Sequence, residues 1–125
     1  MKTDAQRTDN PTAEAARLRA NPQRVKARAE KSSTSYQVSL TTSSGYLVLN
    51  WSATVVGSYD WIGLYVNQDL PDSDYIGGDN WQWAVRGSPY QTDTPAQTGY
   101  QARYLVWDAT AGAYVSVARS APFGG

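Results

Sequence analysis

The sequence contains no cysteine and no histidine, and these two absences remove several classes of chemistry. Without cysteine the chain has neither a disulfide framework nor a thiol nucleophile, so its stability must come from packing, and the redox compartment stays undetermined. Without histidine it lacks the most common general base and a frequent zinc ligand. No segment approaches the roughly 20 apolar residues of a membrane-spanning helix, and the N-terminus lacks the apolar stretch of a secretory signal. We therefore expect a soluble protein that is cytoplasmic, or secreted without a recognisable signal peptide.

The aromatic residues and the charges both divide the chain near residue 33. All five Trp, all nine Tyr and the only Phe lie between Tyr36 and Phe123. Residues 1–33 carry eight Lys or Arg and four Asp or Glu, whereas the remainder carries three Arg and seven Asp. A chain of 125 residues fits one domain. We predict a cationic N-terminal extension over 1–33, partly helical or disordered, and a single β-domain over 34–125 that contains the core.

The extension contains two helix-start patterns, Asn-Pro at 10–11 and Asn-Pro at 21–22, each followed by good helix formers. They predict short helices near 11–20 and 22–31, which are marginal unless they dock on something larger. Its cationic residues would attract nucleic acid only without sequence preference, so we expect no specific nucleic-acid partner. It also lacks the large apolar residues that an interfacial membrane helix buries.

From Thr34 onward the pattern changes to alternation of apolar and polar residues, with β-forming types enriched. Strands are predicted at 36–41, 46–52, 59–66, 81–86, 100–107 and 114–120, and residues 67–80 and 87–99 are rich in turn-forming residues. Six or seven short strands separated by turns are typical of an antiparallel β-sandwich. The fold class expected is therefore all-β, with a short helical N-terminal extension.

The spacing of a few residues favours an immunoglobulin-like sandwich. Leu49, Trp61 and Ala102 lie about where an immunoglobulin domain places its first Cys, its core Trp and its second Cys. Tyr100 is two residues before the last of these, which is where a tyrosine corner occurs. A generic sandwich with another strand order remains the alternative.

Three short segments carry a resemblance to known families. Residues 59–65 read YDWIGLY, residues 99–104 read GYQARY, and residues 120–123 read SAPF. These segments resemble strands and the C-terminal end of SKICH domains and of the immunoglobulin-like N-terminal domains of purple acid phosphatases, and the similarity covers residues 36–123. The resemblance implies an immunoglobulin-type sandwich that serves interaction or targeting and carries no catalytic residues.

Two of the predicted strands have apolar residues on both faces. If Trp61 and Tyr65 face the core, an outward apolar surface results, and such a surface is expected to be covered. Its cover is the N-terminal helices, a second copy of the chain or a partner protein. The residues predicted for this interface are Ile62, Leu64, Val66, Leu105 and Trp107.

The turn-rich segment and the strand after it combine carboxylates with aromatic residues. Such a mixture is typical of glycan sites, in which a ring stacks on the sugar and planar polar groups bind its hydroxyls. The predicted ligand-binding residues are Asp72, Asp74, Tyr75, Asn80, Trp81, Trp83 and Arg86. Oxygen ligands are also what Ca²⁺ prefers, and the candidate metal ligands are Asp69, Asp72, Asp74 and Asp79. The alternatives are that both Trp belong to the core and that the Asp residues serve only turns.

Catalysis fits the sequence poorly. Neighbouring carboxylates in a solvated loop, such as Asp72 and Asp74, usually keep ordinary acidity, and no phosphate-binding glycine motif is present. We therefore expect a non-enzymatic, lectin-like or adhesion-type recognition module without a required cofactor. The alternatives are a protein-interaction or homo-oligomerisation module and, third, a membrane-active protein with exposed aromatic residues.

Overall fold

The computed structural model describes residue 11 and residues 34–124 of the chain. Residues 34–124 form seven β-strands, so the all-β expectation is confirmed; the predicted helices of the extension lie outside the described residues. The strands are β1 (Tyr36–Ser43), β2 (Tyr46–Ala53), β3 (Trp61–Tyr65), β4 (Trp81–Trp83), β5 (Tyr90–Pro95), β6 (Gln101–Asp108) and β7 (Ala113–Arg119), and a 3₁₀ turn, Ala84–Arg86, follows β4. No helix in this described part is long and apolar enough to cross a bilayer.

The strands form two antiparallel sheets that pack face to face. One sheet has the order β1-β2-β5, and the other has the order β4-β3-β6-β7. The β1–β2 hairpin is continuous, from Tyr36 opposite Ala53 to Ser43 opposite Tyr46. Its two-residue turn, Ser44-Gly45, has positive φ at both positions, 54° and 85°. Such a turn matches the right-handed twist of the strands that it joins, which is why a glycine is favoured here.

The main core lies between the two sheets. It receives side chains from alternate positions of β2, β3 and β6, together with Tyr90 of β5 and Ala84 of the 3₁₀ turn. The alternation follows from strand geometry, in which successive side chains point to opposite faces. The buried members from the three strands are Leu47, Leu49, Trp51, Ile62, Leu64, Ala102, Tyr104 and Val106.

The faces of β3 are the reverse of those expected from the sequence. Ile62 and Leu64 point into the inter-sheet core, whereas Trp61 and Tyr65 lie on the outer face of the four-stranded sheet. The pairing with β6 explains this, because Ile62 is directly opposite Tyr104 and opposite residues share a face. Alternation predicts that a strand has two faces, but when both are apolar it does not tell which face is inside.

The structure also contains a strand, β5, where residues 87–99 predicted only turns. Along β5 the buried positions are Tyr90, Thr92 and Thr94, which alternate with more exposed ones. The hydroxyl of Thr92 donates a hydrogen bond to the carbonyl of Leu47 at 2.8 Å. Threonines that satisfy their own hydroxyls in this way can occupy buried strand positions that a pattern of apolar residues does not reveal.

Candidate binding surface

The outer face of the four-stranded sheet is covered by the chain itself. Leu70 and Tyr75, from the segment between β3 and β4, pack against a buried cluster formed by Trp61, Tyr65, Trp81, Trp83, Leu105 and Tyr114. The ring of Tyr75 meets that of Trp61 edge to face, with centroids 4.9 Å apart. We call residues 66–80 the covering segment, because its side chains close over this aromatic face.

Asp72 fastens the covering segment to the sheet. Its Oδ1 accepts a hydrogen bond from Nη1 of Arg103 on β6 at 2.9 Å, and Nη2 of Arg119 on β7 lies 3.5 Å away. Its Oδ2 accepts from the backbone N–H of Ser116 at 2.9 Å and from the Ser116 hydroxyl at 3.2 Å. The backbone carbonyl of Asp72 accepts from the hydroxyl of Tyr65 at 2.6 Å. One residue therefore links the segment to β3, β6 and β7.

Arg103 is the buried centre of this arrangement. Its guanidinium lies 4.0 Å from the centre of the Tyr65 ring, a cation–π contact. Its remaining donors reach Oε1 of Gln101 at 2.8 Å and the carbonyl of Gln68 at 3.2 Å. Burial, with a smaller contribution from the charge of Asp72, raises the pKa of the Tyr65 phenol far above its ordinary value. The phenol is therefore a neutral hydrogen-bond donor under any ordinary condition.

The structure brings four of the predicted ligand-binding residues together where the covering segment meets the aromatic cluster. Trp81 and Trp83 meet edge to face with centroids 5.0 Å apart, and both side chains are buried. Tyr75 is half-buried against Trp61, and Asp72 holds Arg103. The two indole rings consequently offer no open face for stacking on a sugar.

The other predicted ligand-binding residues lie apart from that cluster. Asn80 turns towards β5, where its Oδ1 accepts from the hydroxyl of Thr94 at 2.8 Å and from the N–H of Asp93 at 3.1 Å. Asp74 is exposed in the covering segment, and Arg86 is exposed on the 3₁₀ turn.

The four predicted metal ligands all precede β4. Asp69 and Asp74 are exposed, Asp79 is half-buried, and Asp72 makes the contacts given above. Within the described part of the chain, no group of three or more acidic, His or Cys side chains is close enough together to hold a metal ion.

The predicted interface residues do not lie together on one surface. Ile62, Leu64 and Leu105 are fully buried, the first two in the inter-sheet core and the third beneath the covering segment. Trp107 is half-buried, whereas Val66 has 51% of its surface exposed. The apolar face is thus part of the interior, and this set does not form one accessible surface.

The opposite outer face, on the three-stranded sheet, is accessible and of a different character. We call the outward-facing row of β1 and β2, together with the residues next to it, the polar face. Along β1 it contains Ser35, Gln37, Ser39 and Thr41, and along β2 it contains Thr54, Ser52 and Asn50. Gln37 is opposite Ser52, and Ser39 is opposite Asn50. Neither β1 nor β2 contains a charged residue. This face therefore presents amides and hydroxyls, with Val48 and Tyr46 at the turn end of the same row.

An open groove of about 250 Å³ lies on the polar face. It is lined by Gln37, Val38, Ser39, Asn50, Trp51, Ser52 and Ser88. Its floor is fixed at the β5 side, because the hydroxyl of Ser88 accepts a hydrogen bond from the backbone N–H of Trp51 at 3.0 Å. The indole N–H of Trp51 donates to the carbonyl of Ala84 at 3.2 Å and holds the strand from the core side.

Several polar groups of this groove remain available to a ligand. Nδ2 of Asn50 donates to Oγ1 of Thr41 at 2.9 Å and to the Val48 carbonyl at 3.3 Å, which points its Oδ1 away from both partners. Among the described residues, the side chains of Gln37, Ser39 and Ser52 have no hydrogen-bond partner, and Gln37, Ser39 and Ser52 are exposed. The groove thus combines a preformed backbone with side chains that make no hydrogen bond within the described residues. The sequence indicated these side chains only as the polar face of a predicted strand.

Comparison of the chain with protein-family models, with curated protein sequences and with solved structures finds no match.

Proposed function

We propose that this chain is a non-enzymatic, lectin-like recognition module with an immunoglobulin-like sandwich, and that its ligand is a neutral glycan bound on the polar face. The strand order supports the fold assignment. The sheet of the first, second and fifth strands faces the sheet that contains the third, sixth and seventh, as A, B and E face C, F and G in immunoglobulin domains. The fourth strand pairs with the third. The resemblance to SKICH domains likewise favours a role in recognition.

The observation that carries the proposal is an accessible groove that no charged side chain of the described residues lines and whose exposed side chains are all hydrogen-bonding groups. A solvent-facing sheet surface is ordinarily polar, but it usually includes charged residues. Here the polar groups are the exposed amide of Gln37, the exposed hydroxyls of Ser39 and Ser52, and the half-buried amide of Asn50. Amides and hydroxyls both donate and accept, which suits the hydroxyl groups of a sugar. Among the described residues no charged side chain lines the groove, which favours a neutral ligand over an anionic or cationic one.

The fold favours binding at this face over the aromatic segment. Trp81 and Trp83 stabilise the covered face, whereas the polar face rests on a two-stranded hairpin with a complete register. A rigid floor reduces the ordering cost of binding. Trp51, which is among the residues that line the groove, is buried in the inter-sheet core and offers no open ring for stacking. We therefore expect weak affinity, with a Kd on the order of 1 mM for a single sugar unit.

A glycan array tests the proposal directly. The labelled full chain is applied to neutral and charged glycans, in the presence of Ca²⁺ and again with a chelator. We expect binding to neutral glycans that is the same under both conditions. Binding restricted to sialylated or sulfated glycans would contradict the proposal, and Ca²⁺-dependent binding would return the site to the Asp-rich covering segment.

A protein-interaction role is the second candidate, and exposed valines favour it. Val55 and Val85 expose 59% and 55% of their surfaces, and Val56 exposes 39%. They lie at one end of the sandwich, where the N–H of Ala84 donates to the carbonyl of Asp60 at 2.9 Å and joins the two connections. If these valines form an interface, a Val55→Ser/Val85→Ser variant should lose self-association in sedimentation analysis, while a Val117→Ser control should not.

A further inference from the structure

A second groove continues the first along the same face. It has a volume of about 270 Å³ and is lined by Ser35, Gln37, Ser52, Ala53 and Thr54. Gln37 and Ser52, which are opposite each other across the β1–β2 ladder, line both grooves. The two grooves are therefore neighbours with a shared wall, not separate depressions.

We infer that the polar face binds a linear, neutral oligosaccharide across two adjacent subsites, with Gln37 and Ser52 between them. This inference rests on the proposed function and adds the shape and the minimum length of the ligand. The first subsite is the groove beside Ser88, and the second is the groove beside Ser35 and Thr54. Because the two grooves follow one another along the strand direction, a ligand that occupies both is a linear chain.

The dimensions fit a short stretch of sugar units. From Asn50 to Thr54 the strand advances by roughly 13 Å, at about 3.3 Å per residue. Each groove is somewhat smaller than the roughly 300 to 1,000 Å³ of pockets for drug-sized ligands. Each therefore suits about one ring, and both are open to solvent, so a longer chain can extend beyond either end.

The second subsite shares the uncharged character of the first, although more of its surface is apolar. Its lining side chains are the hydroxyls of Ser35, Ser52 and Thr54, the amide of Gln37 and the methyl group of Ala53. Its backbone is held by two hydrogen bonds between neighbouring segments. The N–H of Thr54 donates to the carbonyl of Ser35 at 3.1 Å, and the N–H of Ser35 donates to Oγ1 of Thr54 at 3.0 Å. The floor beneath both subsites is thus one rigid ladder.

A chain-length series tests the inference separately from the proposed function. Titration calorimetry is performed on the full chain with gluco-, manno- and xylo-oligosaccharides of one to six units. We expect the association constant to rise at least ten-fold between one and two units and then to level off, because further units lie outside the two grooves. Equal affinity for one and six units would overturn the two subsites while leaving glycan recognition intact. If none of these oligosaccharides binds and the glycan array shows no binding either, the proposed function itself is overturned.

Blocking variants assign the two subsites to the two grooves. Ser39→Gln fills the first groove, and Ser35→Gln fills the second. The matched control is Ser43→Gln, on the same strand and the same outward row but four residues beyond Ser39. We expect each blocking variant to lower the affinity for a trisaccharide to that of a single unit, while the control keeps the unaltered affinity. An unchanged affinity in both blocking variants would place the ligand elsewhere.

Discussion

Replacing Asp72 by alanine is the change that most directly tests how the aromatic outer face is covered. Asp72 supplies the anion for Arg103, whose side chain is fully buried, and its second oxygen accepts from the N–H and hydroxyl of Ser116. The substitution would leave the buried guanidinium with only neutral acceptors, the side chain of Gln101 and the carbonyl of Gln68. A buried charge without its partner is costly, which makes this site more sensitive than an ordinary loop position.

The magnitude follows from the burial of the pair. Removal of one partner from a buried ion pair costs about 3 to 5 kcal/mol. The Asp72 side chain is 22% exposed, so water can replace part of what is lost. We expect the free energy of unfolding to fall by about 2 to 3 kcal/mol. A domain of this size has roughly 5 to 15 kcal/mol in total, so the fall should be plainly measurable.

Urea unfolding followed by Trp fluorescence provides the assay, because Trp61, Trp81 and Trp83 lie beneath the covering segment. Acrylamide quenching of the native state should rise in the variant if the segment opens. Asp74→Ala is the matched control, since this exposed carboxylate is two residues away and its side chain has no hydrogen bond or ion pair within residues 34–124. An exposed position of this kind should shift stability by no more than about 0.5 kcal/mol. Equal, small effects of both substitutions would refute the fastening role of Asp72.

Three further substitutions have defined outcomes in urea unfolding experiments. Burial raises the pKa of Tyr65, so the folded state keeps the phenol protonated while the unfolded chain loses its proton above about pH 10; stability should fall above that pH, by up to about 1.4 kcal/mol per pH unit more than in Tyr65→Phe. Gly63→Ala should cost about 1 to 3 kcal/mol, because the new Cβ would lie 2.6 Å from Cζ3 of the buried Trp61, and a neutral effect would contradict the packing. Trp51→Phe should cost about 1 kcal/mol or more, through loss of the hydrogen bond to Ala84, and no change would mean that water replaces it.

The strands that the sequence predicted well are those with one polar face. Along β1, Tyr36, Val38 and Leu40 alternate with Gln37 and Ser39, and this contrast decides both the strand and its orientation. The hairpin after it is similarly predictable, since Ser44-Gly45 suits a two-residue turn with positive φ. In β3 both rows are apolar, so only the pairing with β6 decides which row is inside.

The role of the covering segment was beyond what the sequence could predict. Asp72 and Arg103 are 31 positions apart, and nothing in their local sequence indicates that they meet. The acidic, aromatic-rich segment had the composition of a binding loop, but its Tyr75 and Leu70 instead pack against the aromatic cluster. The two grooves were missed for a related reason. They depend on the β1–β2 register, which places Gln37 opposite Ser52, and on the approach of Ser88.

The most direct test of neutral-glycan recognition on the polar face is an amide NMR titration of the full chain with the best linear oligosaccharide of the length series. We expect chemical-shift changes at Gln37, Ser39, Asn50 and Ser52 that saturate together, with little change in the covering segment. Shifts confined to residues 66–86, or no shifts anywhere at millimolar ligand, would contradict it.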